Sequence, residues 1–182
     1  MTLELHPTPI AGVHEVSSSA FADARGRFVR AFCEETFAAE QLPFAVAQVN
    51  LSVTSLRGTV RGLHLQVAPA AEAKLVRCLR GRIFDVAVDL RTSSPTFGQW
   101  HALVLDEHID RALLIPEGVA HGFQALSNDV QLLYLHSASY ASACERGVHH
   151  ADPALDIRWP LPVTLLSARD AALPSLAEWR AA

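Results

Sequence analysis

The sequence predicts an all-β fold in which short antiparallel strands form a sandwich or a jelly roll. Between residues 45 and 136, short apolar runs rich in β-branched residues recur at intervals of about 8–12 residues. Turn signals rich in glycine, proline, serine and asparagine separate most of these runs, as at Ser93–Pro95, Pro116–Gly118 and Ser127–Asp129. This spacing favours strands joined by tight turns over a regular alternation of strands and helices.

Eight strands are predicted in this region, and helices are expected to be few. The clearest strand is Ile83–Leu90, which is largely apolar and places Asp85 and Asp89 on one face. A short helix that a proline ends is predicted over Glu34–Leu42, and another turn or two over Ala168–Arg180. The predicted strands are Gln48–Thr54, Val60–Gln66, Leu75–Leu79, Ile83–Leu90, Trp100–Leu105, Ala112–Ile115, Gly122–Ala125 and Gln131–His136.

Length and composition indicate one globular domain over residues 1–182. Half of the residues are hydrophobic and 19% are charged, which is unlike a disordered chain. No repeat, low-complexity tract or linker divides the chain. A chain of this length buries most of its apolar surface on folding, so it needs no disulfide or metal to stabilise it.

Charge and hydropathy exclude several partners. The net charge is −4 and the basic residues are scattered, so no nucleic acid or anionic membrane is expected as a partner. The longest uncharged stretch, Gln41–Leu56, contains polar residues and is no membrane span. The N-terminus lacks the pattern of a secretory signal, and three widely spaced cysteines without a CxxC pair argue against a disulfide framework. We therefore expect a cytoplasmic protein.

Two of the predicted strands place polar side chains on one face. Gln48, Asn50 and Ser52 alternate along the first strand, and His64 and Gln66 share a face of the second. Polar groups that line a barrel interior need hydrogen-bond partners or a ligand. A hydrogen-bonded network or a solvated outer face would explain the same pattern, so this segment alone leaves the function open.

A further candidate lies after the turn Pro116–Gly118, which delivers His121 to the start of a strand. Two histidines on neighbouring strands of a jelly roll converge inside the barrel and serve either a metal or a general base. Tyr134 and Tyr140 are the only tyrosines in the sequence. Taken alone, the tyrosines suit amphipathic core positions, and Asp170 suits a surface acid at the start of a helix.

These residues belong to a series of motifs that resembles the nucleotide-sugar 3,5-epimerases, typified by dTDP-4-dehydrorhamnose 3,5-epimerase. The resemblance covers about residues 21–173, and nine motifs occur in the same order. A chance match of nine ordered motifs is not expected, so the chain is identified as a member of this family. The motifs are Phe21–Phe28, Gln48–Ser52, Gly58–Gln66, Lys74–Arg77, Asp85–Gly98, Ile115–Phe123, Tyr134 with Tyr140, Asp152–Pro160 and Ser167–Asp170.

The resemblance implies a cupin-type jelly roll, a double-stranded β-helix with short flanking helices, that forms a homodimer and uses no metal or organic cofactor. The typical substrate is a dTDP-4-keto-6-deoxy-hexose, an intermediate in the biosynthesis of deoxysugars such as rhamnose. Its C4 ketone acidifies the C–H bonds at C3 and C5. A base removes one of these protons, an enolate forms, and an acid returns a proton on the other face.

By position, the resemblance implies four catalytic residues. His64 is the base, and Asp170 orients it and stabilises its protonated form. Lys74 stabilises the enolate oxygen. Tyr134 donates a proton on the opposite face, because a phenol stays protonated at neutral pH.

Further positions match residues that bind the substrate in this family. Arginines are expected to contact the diphosphate, and the ring of Tyr140 is expected to stack on the nucleotide base. The chain departs from the family at Val49, where the typical member has Asp, and at Arg30, where a Glu often helps to hold the base. We expect these departures to alter nucleotide recognition and to leave the catalytic set intact. The matched residues are Arg25, Gln48, Asn50, Arg61, His121, Tyr140 and Glu145.

Two other functions are compatible with parts of this pattern. A metal-dependent cupin enzyme would use His64, Gln66, Glu72 and His121, but glutamine is a poor ligand for first-row metals. A non-catalytic jelly roll that binds sugar nucleotides would be expected to lack one of the four catalytic residues, and the sequence retains all of them.

Overall fold

A computed structural model describes residues 2–181, and over this range the chain forms thirteen strands and three short helices. The helices are α1 (Glu34–Ala39), α2 (Ala168–Ala171) and α3 (Leu176–Ala181), and a 3-10 turn occupies Ser142–Cys144. Within this range no helix is long and apolar enough to cross a membrane. The strands are β1 (Leu3–Pro7), β2 (His14–Ser18), β3 (Ala20–Asp23), β4 (Gly26–Val29), β5 (Gln48–Thr54), β6 (Val60–Gln66), β7 (Lys74–Arg80), β8 (Arg82–Asp89), β9 (Trp100–Asp106), β10 (Arg111–Ile115), β11 (Val119–Ala125), β12 (Val130–His136) and β13 (Glu145–Gly147).

Most strands belong to two antiparallel sheets that face each other as a jelly roll. The six-stranded sheet has the order β1-β2-β10-β7-β12-β5, and the five-stranded sheet has the order β13-β6-β11-β8-β9. Strands β3 and β4 pair only with each other and form a separate hairpin. The predicted all-β, cupin-type jelly roll with short flanking helices is confirmed.

Apolar side chains cover both faces of each large sheet. Between the sheets, Val76 of the six-stranded sheet and Phe123 of the five-stranded sheet belong to one buried cluster. On the outer face of the six-stranded sheet, Phe37 of α1 is fully buried. Leu176 and Trp179 of α3 pack on the outer face of the five-stranded sheet. Each large side chain buried in this way contributes about 1.5–3 kcal/mol, so the apolar residues of the strands hold the barrel together.

The eight strands predicted from the sequence are present, and the structure adds five that the sequence pattern does not indicate. Strand β2 buries only Val16, the hairpin β3–β4 is almost wholly exposed, and β13 has only three residues. Strand β11 begins at Val119 and not at the predicted Gly122, so His121 lies within the strand. All three cysteines are unpaired.

Strands β6 and β11 approach each other closely at two glycines. A Cβ atom on Gly62 would lie 2.6 Å from the Cα atom of Gly122 and 2.8 Å from the carbonyl oxygen of His121. Gly62 also has a φ of +122°, which L side chains rarely adopt. This approach is next to the point where His64 pairs with His121 and where the register of the two strands shifts. The glycines therefore allow two histidines of neighbouring strands to lie side by side.

Gly62→Ala is expected to lower the free energy of unfolding by about 2–5 kcal/mol, because the added methyl group meets backbone atoms and the φ angle is strained. The measurement is urea denaturation followed by circular dichroism. Gly26→Ala is the matched control, since Gly26 has a φ of +130° and a Cβ atom added to it would meet no other atom within 4 Å. Its loss should be at most about 1–2 kcal/mol. Equal losses in the two variants would show that the close approach is not needed for stability.

Candidate active site

A cavity of about 580 Å³ lies between the two sheets. Strands β6 and β11 of the five-stranded sheet form one wall, and strands β5, β7 and β12 of the six-stranded sheet form the other. The segment that leads into α2 also lines it. The structure brings together ten of the eleven residues expected to form the site: Gln48, Asn50, Arg61, His64, Lys74, His121, Tyr134, Tyr140, Glu145 and Asp170.

His64 on β6 and Asp170 on α2 form a hydrogen-bonded pair. His64 Nε2 lies 2.8 Å from Asp170 Oδ1, and the backbone N–H of Gly62 donates to Asp170 Oδ2 at 3.2 Å. The short helix α2 is capped by Ser167, whose hydroxyl accepts a hydrogen bond from the backbone N–H of Asp170. These contacts hold the carboxylate next to the imidazole.

The electrostatics of this pair define which nitrogen of His64 is basic. Burial alone would raise the pKa of Asp170, but the hydrogen bond and charge of His64 outweigh burial and hold that pKa below its ordinary value. The carboxylate therefore accepts a hydrogen bond from the Nε2–H group of His64. Nδ1 is then the unprotonated nitrogen of the neutral ring, so His64 is suited to act as a general base.

Tyr134 stands on the opposite wall of the cavity, on β12. Its ring meets the edge of His121 at a centroid distance of 5.8 Å and stacks on His136 at 5.9 Å. Burial raises the pKa of the Tyr134 phenol far above its ordinary value. The hydroxyl therefore stays protonated and is suited to donate a proton from the wall that faces His64.

His121 is held by a second buried carboxylate. Its Nε2 lies 2.7 Å from Oδ1 of Asp85, which is fully buried on the neighbouring strand β8. The sequence pattern places Asp85 and Asp89 on one face of their strand, but only the strand order reveals that His121 is the partner of Asp85. The pair fixes the orientation of the His121 ring beside Tyr134.

Lys74 on β7 belongs to a third cluster of charged groups. Its Nζ lies 3.1 Å from Oε1 of Glu72, whose other oxygen lies 2.8 Å from Nδ1 of His136. Burial would raise the pKa of Glu72, but the hydrogen bond from His136 and the charge of Lys74 hold it below its ordinary value. Sequence reasoning considered Glu72 only as a possible metal ligand, because its partners lie on other parts of the chain.

The mouth of the cavity carries an exposed aromatic ring beside charged groups. Tyr140 is 56% exposed, and its hydroxyl donates to Oε2 of Glu145 at 2.6 Å. Arg169 contacts the other oxygen of Glu145, also at 2.6 Å. Arg61 lines the same cavity. An exposed ring face beside the Arg169 guanidinium, with a second guanidinium from Arg61 in the same cavity, is suited to a nucleoside diphosphate.

Arg25 is the one expected site residue that does not line this cavity. It lies in the turn of the β3–β4 hairpin, where it pairs with Asp23. Val49, which replaces an Asp of the typical family member, also lies outside the cavity wall and is 56% exposed. The side chain of Val49 therefore lies on the outer face of β5, whereas Gln48 and Asn50 lie on the inner face.

The residues of the metal-dependent alternative are engaged with other partners. Gln66 donates to the carbonyl oxygens of Ala70 and Ser139 and accepts from the backbone N–H of Ala141. His64 pairs with Asp170, and His121 pairs with Asp85. Glu72 binds both Lys74 and His136. Within residues 2–181, no group of three or more His, Cys, Asp or Glu side chains has the arrangement of a metal site.

The fold is a jelly roll, and its cavity places a histidine–carboxylate pair and a tyrosine on opposite walls. The family model of dTDP-4-dehydrorhamnose 3,5-epimerase matches residues 7–178. The chain belongs to this family of nucleotide-sugar epimerases.

Individual relatives are similar over nearly the whole chain. A dTDP-4-dehydrorhamnose 3-epimerase of Streptomyces niveus is 46% identical over 179 residues, which are 98% of this chain and 86% of the relative. A dTDP-4-dehydrorhamnose 3,5-epimerase of Mycolicibacterium smegmatis is 45% identical, with 95% and 86% of the two chains covered. The crystal structure of a 4-keto-6-deoxy sugar epimerase from the novobiocin gene cluster of Streptomyces spheroides superposes with a TM-score of 0.94 at 45% identity, covering 100% of this chain and 91% of that one.

Asp170→Asn is expected to lower the epimerase rate by about a hundredfold to ten-thousandfold. The amide donates to Nε2 of His64, so the ring hydrogen moves to Nδ1, the atom that has to accept a proton. Steady-state kinetics test this, with circular dichroism to verify the fold.

Asp156→Asn is the control, because Asp156 is exposed and asparagine tolerates its φ of +47°. It should retain the rate of the wild type. An Asp170→Asn variant with wild-type activity would show that the carboxylate does not set the tautomer of His64.

Proposed function

We propose that this protein epimerises a dTDP-4-keto-6-deoxy-hexose at C3, C5 or both. The observation that supports this most directly is the placement of the His64–Asp170 pair and the Tyr134 phenol on opposite sheets, with a cavity between them. A sugar ring held between two walls presents one face to each wall. A base on one side and an acid on the other then exchange a proton with inversion at carbon.

The reaction consists of two proton transfers. His64 Nδ1 removes the proton from the carbon next to the ketone, and the electron pair of the C–H bond forms an enolate on the C4 oxygen. The ammonium of Lys74 stabilises that oxygen, and Asp170 stabilises the imidazolium of His64. Tyr134 then donates its proton to the other face of the same carbon, and the ketone forms again. No net oxidation or reduction occurs.

The substrate's nucleotide is proposed to lie at the mouth of the cavity. Tyr140 offers an exposed ring for stacking on the base, while Gln48 and Asn50 provide hydrogen bonds from the inner face of β5. Arg61 and Arg169 provide guanidinium groups for the diphosphate. Glu145 holds Arg169 and the Tyr140 hydroxyl, so it orients both groups.

Incubation of the protein with dTDP-4-keto-6-deoxy-glucose in heavy water is expected to incorporate solvent deuterium, because the returned proton comes from an exchangeable group. Mass spectrometry counts the deuterons. Two deuterons would indicate epimerisation at C3 and C5, and one would indicate a single carbon. The same incubation after exhaustive chelation is the control for metal-dependent chemistry and should give the same uptake. Absence of uptake with a folded protein would overturn the proposal.

The protein is further proposed to work as a homodimer. The hairpin β3–β4 exposes Phe21 by 61% and Phe28 by 66%, and these residues are paired across its two strands. An isolated two-stranded hairpin is only marginally stable in water. The outer face of β5 also exposes Val49, Leu51 and Val53 by at least half. A second copy of the chain would cover this apolar surface.

A dimer also explains the position of Arg25. This residue matches a substrate-binding position of the family, but it extends from the exposed hairpin and not into the cavity of its own chain. The proposal is that the hairpin of one copy reaches the cavity of its partner. Arg25 then provides a guanidinium group to the diphosphate in that cavity.

Arg25→Ala and His64→Ala are each expected to lower activity by at least tenfold, since one weakens substrate binding and the other removes the base. Equal amounts of the two variants, unfolded together and refolded, should regain about a quarter of the wild-type activity. Half of the dimers are mixed, and each mixed dimer contains one complete site. Mixing without unfolding is the control. No recovery from proven mixed dimers would show that Arg25 does not act across the interface.

A further inference from the structure

A chain of hydrogen bonds runs from the mouth of the cavity into the strand that holds the proposed acid. The backbone N–H of Tyr140 donates to Oε1 of Gln48 at 3.0 Å, and Nε2 of Gln48 donates to Oδ1 of Asn50 at 3.1 Å. Nδ2 of Asn50 lies 3.3 Å from Nε2 of His136. His136 follows Tyr134 by two residues on β12, and their rings stack.

The chain continues from His136 to Lys74 through one carboxylate. Nδ1 of His136 lies 2.8 Å from Oε2 of Glu72, and Nζ of Lys74 lies 3.1 Å from Oε1. Nζ of Lys74 also donates to the carbonyl oxygen of His64 at 3.4 Å. Glu72 and Lys74 are each 7% exposed, so little solvent competes for these contacts.

The backbone amide at the mouth fixes the direction of every bond in this chain. A backbone N–H only donates, so Gln48 turns its oxygen to Tyr140 and its amide nitrogen to Asn50. Asn50 must then turn its own amide nitrogen to His136. Nε2 of His136 therefore accepts, and the ring hydrogen lies on Nδ1, where it is donated to Glu72. This direction leaves Glu72 as the acceptor for both His136 and Lys74.

We propose that Glu72 and His136 are positioning residues that hold the ammonium group of Lys74 in place for the reaction. The role rests on the proposed function, in which Lys74 stabilises the enolate oxygen. The side chain of lysine is flexible, and a cation contributes most to catalysis when it is already in position before charge develops. Glu72 holds Nζ, and His136 prevents Glu72 from rotating by occupying its second oxygen.

The first experiment measures the tautomer of His136 by ¹⁵N NMR on the full-length protein. Two-bond correlations between ring protons and nitrogens distinguish Nδ1–H from Nε2–H, and the signals are assigned by their loss in His136→Gln. The wild type should have its hydrogen on Nδ1. In Glu72→Gln the ring hydrogen should stay on Nδ1, because the backbone N–H of Tyr140 still sets the direction of the chain. The amide oxygen then accepts from His136, so the amide nitrogen faces Lys74, which loses its acceptor. A wild-type ring with its hydrogen on Nε2 would overturn the directed chain.

The second experiment compares kinetics. His136→Leu and Glu72→Gln are each expected to lower kcat by about 10- to 100-fold with a smaller change in KM, because Lys74 acts on the transition state. His136→Gln should regain most of the loss, since its amide supplies one donor and one acceptor. The double variant should be no slower than the slower single variant, because the two residues act as a unit.

His101→Gln is the matched control. His101 pairs with Glu15 at 3.2 Å, but this second histidine–glutamate pair does not line the cavity. It should retain the kinetics of the wild type. Wild-type kcat in His136→Leu, or equal losses in His136→Leu and His136→Gln, would overturn the positioning role alone. A wild type that exchanges no deuterium would instead overturn the proposed function, and with it the role of Lys74.

Discussion

A buried charge needs a partner of opposite charge or a hydrogen bond, and this requirement organises the inside of the barrel. Taking a carboxylate out of water costs several kcal/mol unless its oxygens are satisfied. Inside the barrel, three carboxylates are each paired with a histidine: Asp170 with His64, Asp85 with His121, and Glu72 with His136. The second oxygens of Asp170 and Glu72 are also paired, with the backbone N–H of Gly62 and with Lys74, whereas Oδ2 of Asp85 has no hydrogen-bond partner within residues 2–181. Each pair also fixes which ring nitrogen carries the hydrogen, so the same contacts that permit burial set the tautomers of the three histidines.

The proposed reaction also requires two walls that face each other across the substrate, and the two sheets of the jelly roll provide them. His64 and His121 belong to one sheet, while Lys74, Tyr134 and His136 belong to the other. Because alternate residues of a strand point to opposite faces, the same strands that send these groups inward send apolar residues outward to the helices. The groups proposed to act on opposite faces of a sugar are therefore separated by the architecture itself.

Sequence reasoning identified eight of the thirteen strands and ten of the residues that line the cavity, because both depend on local pattern and on ordered motifs. Gln48 and Asn50 lie on the inner face of β5 as alternation predicts. The partners of these residues depend on register instead. His136 lies opposite Lys74 on one side and opposite Gln48 on the other, and no local pattern reports that alignment. The sequence also does not predict that Arg25 lies outside the cavity, because its hairpin buries almost no side chain within the chain.

The pairing of His64 with Asp170 joins residues 106 positions apart, and the carboxylate is delivered by a helix of only four residues. During synthesis, the strands that contain His64, Lys74 and Tyr134 emerge from the ribosome before the segment that contains Asp170. A nascent chain with a nearly complete barrel would thus hold a histidine without its carboxylate. The last turns to dock would complete the His64–Asp170 pair, so the proposed base would gain its carboxylate only at the end of folding.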